Sequence, residues 1–275
     1  MAFLELAPGE GLSYTARPPT AEGAPSVVLV NDLLGEAADW DAAVAPALAA
    51  AGLGVVTFDF RGQGASRAAP GRALTPGLMA ADLRALLKAA FPSQRPILVG
   101  QGVGGMIAIQ ATLRGAPVAG LALLNALRAP GPKLDWITAA TPLLLAHGGP
   151  RLLREAWSPL LSSEEGLTDL EDLGDGPFAP LPADDGRLAL ARGAAAEPVD
   201  WDPPFEQLDL PTLVITGLQD RMFLDREAVN RQFARLPRAE AEAWPEGGYW
   251  LAQEQPQQVT RSLIRFAASV ARAAA

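Results

Sequence analysis

Short apolar runs rich in β-branched residues alternate along this chain with longer stretches of helical period. Phe3-Leu4-Glu5-Leu6 and Leu12-Ser13-Tyr14-Thr15 flank Pro8-Gly9-Glu10-Gly11, which predicts an opening hairpin. Ser26–Val30, Gly54–Asp59, Pro96–Val99, Val118–Leu124 and Pro211–Thr216 read as buried strands. Between them the pattern predicts helices over Trp40–Ala51 (closed by Gly52), Pro76–Phe91 and Val103–Arg114, and a last one over Gln258–Ala273. Pro76 stands at a helix start, where its missing N–H matters little. From Pro142 to about Ala196 the pattern changes to helical pieces separated by acidic, Pro- and Gly-rich breaks such as Asp172–Pro177. No internal repeat and no disordered linker is visible. Alternation of this kind predicts an α/β fold, with a mostly parallel central sheet and helices on both faces. Ligands of such sheets bind at the carboxyl ends of the strands. Residues 1–141 and 197–275 would form the core, and 142–196 a small helical cap over that end.

Composition narrows the classes. The chain has 275 residues, 49% of them hydrophobic, enough for one large globular domain. A formal net charge of -9 argues against nucleic acid or an anionic membrane as partner. There is no cysteine, which excludes disulfides, thiolate catalysis and Cys-based metal sites. His147 is the single histidine, too few for a His-rich metal site. The opening Met1–Leu6 lacks the basic and apolar segments of a signal peptide, and no uninterrupted apolar run reaches membrane-spanning length. The reading is a cytoplasmic protein without metal or cofactor; the abundance of Ala, Arg, Gly and Pro suggests a bacterial source. A homo-oligomer stays open.

The most telling segment is Leu98-Val99-Gly100-Gln101-Gly102-Val103-Gly104-Gly105. A strand followed by G-x-S-x-G is the nucleophile elbow of α/β-hydrolases. The frame is present here, but Gly102 stands at its centre. Three further markers occur in order: Val30–Gly35 with Trp40, Phe58–Ser66 (D-x-R-G-x-G-x-S), and the pair Gly217–Asp220 and Glu246–Trp250. Over nearly its whole length the chain resembles the α/β-hydrolase superfamily. The opening Met1–Glu5, and Asn31 in place of an oxyanion-loop histidine, are similar to the 3-oxoadipate enol-lactonase branch. The resemblance implies an α/β-hydrolase fold with a small helical cap. It maps the nucleophile to Gly102, the acid to Asp220 and the histidine to Tyr249. Glycine cannot attack a carbonyl, and a triad needs nucleophile, base and acid together. Loss of the serine alone removes about 10⁶ of rate. Val103 and Leu33 would supply the oxyanion N–H groups, with Asn31, Asp32, Gln101 and Trp250 around them.

Each of these residues has a plain and a functional reading. Asp32 is either a turn residue bonded to its own backbone or a carboxylate on the pocket floor. Facing the oxyanion hole, it would repel an anion. Asp220 with Tyr249 is either a vestigial acid under a packed ring or an acid/base couple. Gln101 decides little, and Arg61 reads as a structural pairing residue. His147 is either a surface residue or a substitute base swinging from the cap. Trp136, Trp157, Trp201 and Phe178 would line or support the cap. The glycine run does not keep G-x-G-x-x-G spacing with a following acidic residue, which argues against a dinucleotide. Three functions remain. One is a catalytically degenerate member that binds a small, mostly apolar molecule or a protein partner. Another is a lyase, isomerase, cyclase or lactone hydrolase of Ser-independent mechanism, using Asp32, Asp220 and Tyr249 with the backbone oxyanion hole. The third is a purely structural or interaction protein whose pocket is filled.

Overall fold

Side chains alternate across the central strands, so each face of the sheet carries its own core. The computed structural model describes residues 1–21, 23–169 and 177–274. The sequence-predicted break at 172–176 therefore lies outside the described residues. An antiparallel hairpin, β1 (Ala2–Ala7) and β2 (Glu10–Arg17), opens the fold. Then come β3 (Ser26–Val30), α1 (Ala37–Asp41), α2 (Val44–Ala50), β4 (Gly54–Phe58), α3 (Pro76–Ala90), β5 (Ile97–Gln101), α4 (Val103–Leu113) and β6 (Gly120–Leu124). After them come α5 (Pro132–Leu161), α6 (Glu164–Asp169), α7 (Gly186–Ala196), β7 (Thr212–Gly217), α8 (Arg226–Phe233), β8 (Ala239–Trp244), α9 (Leu251–Glu254) and α10 (Pro256–Ala274). The sheet order is β1-β2-β4-β3-β5-β6-β7-β8. From β4 to β8 every pairing is parallel, with Val28 opposite Val56 and Leu98 and the latter opposite Leu121.

Val28, Leu98, Leu121 and Leu123 face α3 and α4, where Leu83, Leu87 and Ile107 complete one core. Val27, Ile97, Val99, Leu124 and Ile215 point the other way, against Leu48 of α2 and Leu263 and Phe266 of α10. Burial on both faces explains why these strands read as continuous apolar runs.

The helix expected over Trp40–Ala51 is instead two, α1 and α2. A continuous helix would press the Pro46 ring against the carbonyl of Ala42, so the chain breaks between them. Pro142 opens no helix of its own. It lies inside α5, which begins ten residues earlier at Pro132 and bends at Gly149, where φ is 69°. β8 and α8 were not predicted from the sequence. β8 is an edge strand of mostly Ala and Glu, with no apolar run to mark it.

Arg61 does pair structurally. Its Nε and Nη2 donate to the Asp82 carboxylate at 2.8 and 2.7 Å, and its Nη1 donates to Glu10 at 2.9 Å. This locks the loop after β4 onto α3 and the hairpin.

Candidate functional site

The turn between β5 and α4 places Gly102 at φ 55°, ψ -121°, a conformation that glycine adopts without the steric penalty of a Cβ. Gly104 lies so close to the carbonyls of Val30 and Asn31 that a Cβ would overlap them. Small residues here let α4 start directly beneath the loop after β3.

Four strand ends then deliver side chains above Gly102. Asp32 comes from the loop after β3, Arg128 from the segment after β6, Asp220 from the end of β7 and Tyr249 from beyond β8. A Cβ on Gly102 would overlap the Tyr249 hydroxyl and crowd Asp32 Oδ1 and Arg128 Nη2. Glycine at the centre of the elbow thus opens the space in which three polar ends meet.

These ends form a chain of hydrogen bonds. Arg128 Nη2 donates to Tyr249 Oη. The Tyr249 hydroxyl donates to Asp32 Oδ2 at 2.7 Å. Asp32 Oδ1 accepts the Val103 N–H at 2.9 Å, at the N-terminus of α4, where the helix dipole favours negative charge. Asp32 therefore lies on the pocket floor and holds the amide that the sequence reading gave to an oxyanion. Burial pushes the Tyr249 hydroxyl well above its ordinary 10, with the Arg128 charge opposing and the Asp32 charge reinforcing the shift. Tyr249 is thus a donor and not a base.

Asp220 is buried but does not bond to Tyr249. Its Oδ1 accepts the N–H groups of Met222 and Phe223 at 2.9 and 2.8 Å. Burial raises its carboxyl above the ordinary 3.8, against those two N–H groups and the charges of Arg128 and Lys133.

Around this centre the remaining predicted residues act as supports. Asn31 donates to Phe58 O and to Gln63 Oε1, and Gln63 Nε2 donates to the carbonyls of Asp32 and Leu33, both at 3.0 Å. Gln101 accepts the Ala252 N–H and so holds the segment after Trp250, away from the pocket. The Trp250 ring stands edge-on to Tyr249 with centroids 4.7 Å apart. Leu33, Val103, Trp157 and Trp201 line a cavity of about 110 Å³ over the site, closed from above by α5 and α7. His147, Trp136 and Phe178 are exposed and contribute nothing to it.

Arg128 and Asn125 were missed from sequence. Asn125, at φ 47°, donates to the carbonyls of Gly248 and Tyr249 and accepts the Gly217 N–H, tying the ends of β6, β7 and β8 together. Neither residue belongs to a motif. Their one signal is position, just past the carboxyl end of a parallel strand. Among the described residues no cluster of three His, Asp or Glu could hold a metal ion, and no helix is long and apolar enough to cross a membrane.

The profile of the alpha/beta hydrolase family matches residues 27–262. The chain belongs to the alpha/beta hydrolase family. Within the family it is 31% identical over 250 residues to a Variovorax paradoxus (strain S110) protein named "Putative carbamate hydrolase RutD", covering 89% of this chain and 92% of that one. Three solved structures of the family share the fold. An alpha/beta hydrolase enzyme from a Medee basin deep-sea metagenome superimposes with a TM-score of 0.82 at 18% identity, covering 96% of each chain. A thermophilic esterase from Thermogutta terrifontis gives 0.76 at 22% identity, over 95% of this chain and 94% of that one. The enol-lactonase of Burkholderia xenovorans LB400 gives 0.75 at 20% identity, over 96% and 99%.

Proposed function

We propose that this family member has given up ester hydrolysis and uses the inherited pocket to bind a small, largely apolar molecule. The observation that carries this reading is the filling of the reactive centre from within. The space needed by a nucleophile side chain on Gly102 holds the Tyr249 hydroxyl, and the Val103 N–H is taken by Asp32. Gly102 itself carries no atom to form an acyl-enzyme, and one of the two expected oxyanion donors, the Val103 N–H, is already engaged by an anion. What persists is a cavity walled by Leu33, Trp157, Trp201 and Phe223, the setting in which apolar ligands bind. Helices α5 and α7, which the proposed 142–196 cap includes in part and in whole, border it from above.

The Ser-independent enzyme remains a second reading because Asp32, Tyr249 and Arg128 are hydrogen-bonded in series. Against it, Tyr249 holds its proton more tightly than usual, and Asp220 is turned to backbone.

The test is a panel of small esters, enol-lactones and carbamates, given to the unmodified protein beside Gly102→Ser/Tyr249→His, with and without Asp32→Gly. The binding reading expects turnover only from the altered chains, and most from the triple variant. Turnover by the unmodified protein well above that of Tyr249→Phe would overturn it.

A further inference from the structure

The side chain of Arg128 is buried inside the pocket wall, with the residue only 4% exposed. Its polar partner is the Tyr249 hydroxyl, a neutral group. Its Nε is buried without a hydrogen bond, and among the described residues no carboxylate lies within ion-pair distance of the guanidinium. Three rings surround it instead, with centroids at 3.8 Å for Phe223, 4.6 Å for Trp201 and 5.1 Å for Tyr249. Aromatic faces attract a cation but make no hydrogen bond to its N–H groups and supply no counter-charge. A buried charge left in that condition is expensive.

The two nearest acids attract Arg128 across space but give it no hydrogen bond. Asp32 is satisfied by the Val103 N–H and the Tyr249 hydroxyl, and Asp220 by Met222 and Phe223. What Arg128 lacks is a planar acceptor with one negative charge, and a carboxylate matches a guanidinium in both respects. Asp32 also lines the cavity and opposes any anion, so a single negative charge is better tolerated than the two of a dianion such as phosphate.

We propose that Arg128 anchors the ligand, and that the ligand is a small monocarboxylate with an apolar body. This rests on the pocket-binding reading above. Size agrees with it: the cavity is about 110 Å³, and an engineered cavity of about 150 Å³ takes benzene. A carboxyl group and a few carbons fill it. Leu34, Leu153, Trp157, Leu161 and Trp250 also border a second cavity of about 560 Å³, which gives a longer tail a path.

The experiment compares hexanoate with hexanamide, and benzoate with benzamide, on the unmodified protein. Binding is read by calorimetry and by the fluorescence of the cavity tryptophans. Each acid is expected to bind at least about 10-fold tighter than its amide, since charge-assisted hydrogen bonds exceed neutral ones. Arg128→Gln is expected to weaken acid binding by at least about 30-fold and amide binding by much less, so that the acid-to-amide preference is lost. Arg128→Lys, which keeps the charge on a compact head, should retain part of the acid preference and provides the comparison if the glutamine variant does not fold. Equal binding of acid and amide, or full acid affinity in both Arg128 variants, would overturn the anchor while leaving a binding pocket. Failure of all four probes to bind would overturn both. Ester turnover by the unmodified protein would sink the non-hydrolytic reading alone, and the acid-to-amide ratio would still decide the anchor.

Discussion

The Tyr249 hydroxyl occupies the volume that any side chain on Gly102 would need. The two positions are therefore energetically one. Gly102→Ala should be destabilising by about 2–5 kcal/mol, from overpacking and from a Cβ at positive φ. In a Tyr249→Phe background, which removes the obstructing oxygen, the same change should fall to about 1–3 kcal/mol. Urea unfolding of the four proteins measures the coupling, and strict additivity would contradict the geometry.

Tyr249 should titrate late. The chain has two tyrosines, so its phenolate absorbance has two contributions. The Tyr249 part should appear above the ordinary 10 because of burial, and Tyr249→Phe should delete it. Asp32→Ala should bring it earlier, since the Asp32 charge opposes phenolate formation. An unchanged Tyr249 titration in Asp32→Ala would refute the hydrogen-bonded pair.

Arg61 is bound by two buried carboxylates, Asp82 and Glu10. Arg61→Ala leaves Asp82 without its partner and should cost about 3–5 kcal/mol of stability. Adding Asp82→Leu should restore much of that loss in chemical denaturation. A loss under about 1 kcal/mol in the single variant would mean that the pairing contributes little.

Two carboxyls should move stability with pH in opposite senses. Arg72 and Arg61 pull Glu10 down to about 2. Its stabilisation is complete above the ordinary 4.5 and is lost as pH falls from there through about 2. Glu10→Gln should flatten the acid limb of a melting-temperature profile. Asp220 is raised by burial, so its ionised form opposes folding. The stability it lends when protonated is lost as pH rises through its folded value. Asp220→Asn should therefore melt at or above the unmodified protein at neutral pH, with the advantage shrinking in acid.

These sites were unequally visible in the sequence. Gly100, Gly102 and Gly104 are legible because their spacing is a local backbone demand, and local demands leave local patterns. The strands from Ser26 to Leu124 are legible because burial on both faces requires continuous apolar runs. Asp32 could be read two ways, since its partners Val103 and Tyr249 lie 71 and 217 positions away. Arg128 belongs to no motif and had only its position past β6 to mark it: its surroundings, Trp201, Phe223 and Tyr249, are assembled by the fold alone. The break between α1 and α2 was available in Pro46, but the alanine-rich surroundings mask it.

The interlocking above Gly102 also bears on how such a pocket can change over generations. A serine introduced at position 102 meets the tyrosine before it can meet a substrate. A histidine introduced at position 249 removes the partner of both Asp32 and Arg128 and gains no nucleophile to serve. Each single step towards a serine and histidine pair is therefore penalised before its companion arrives. The filled elbow works as a ratchet, and relatives that carry glycine there should carry a bulky hydroxyl donor opposite it.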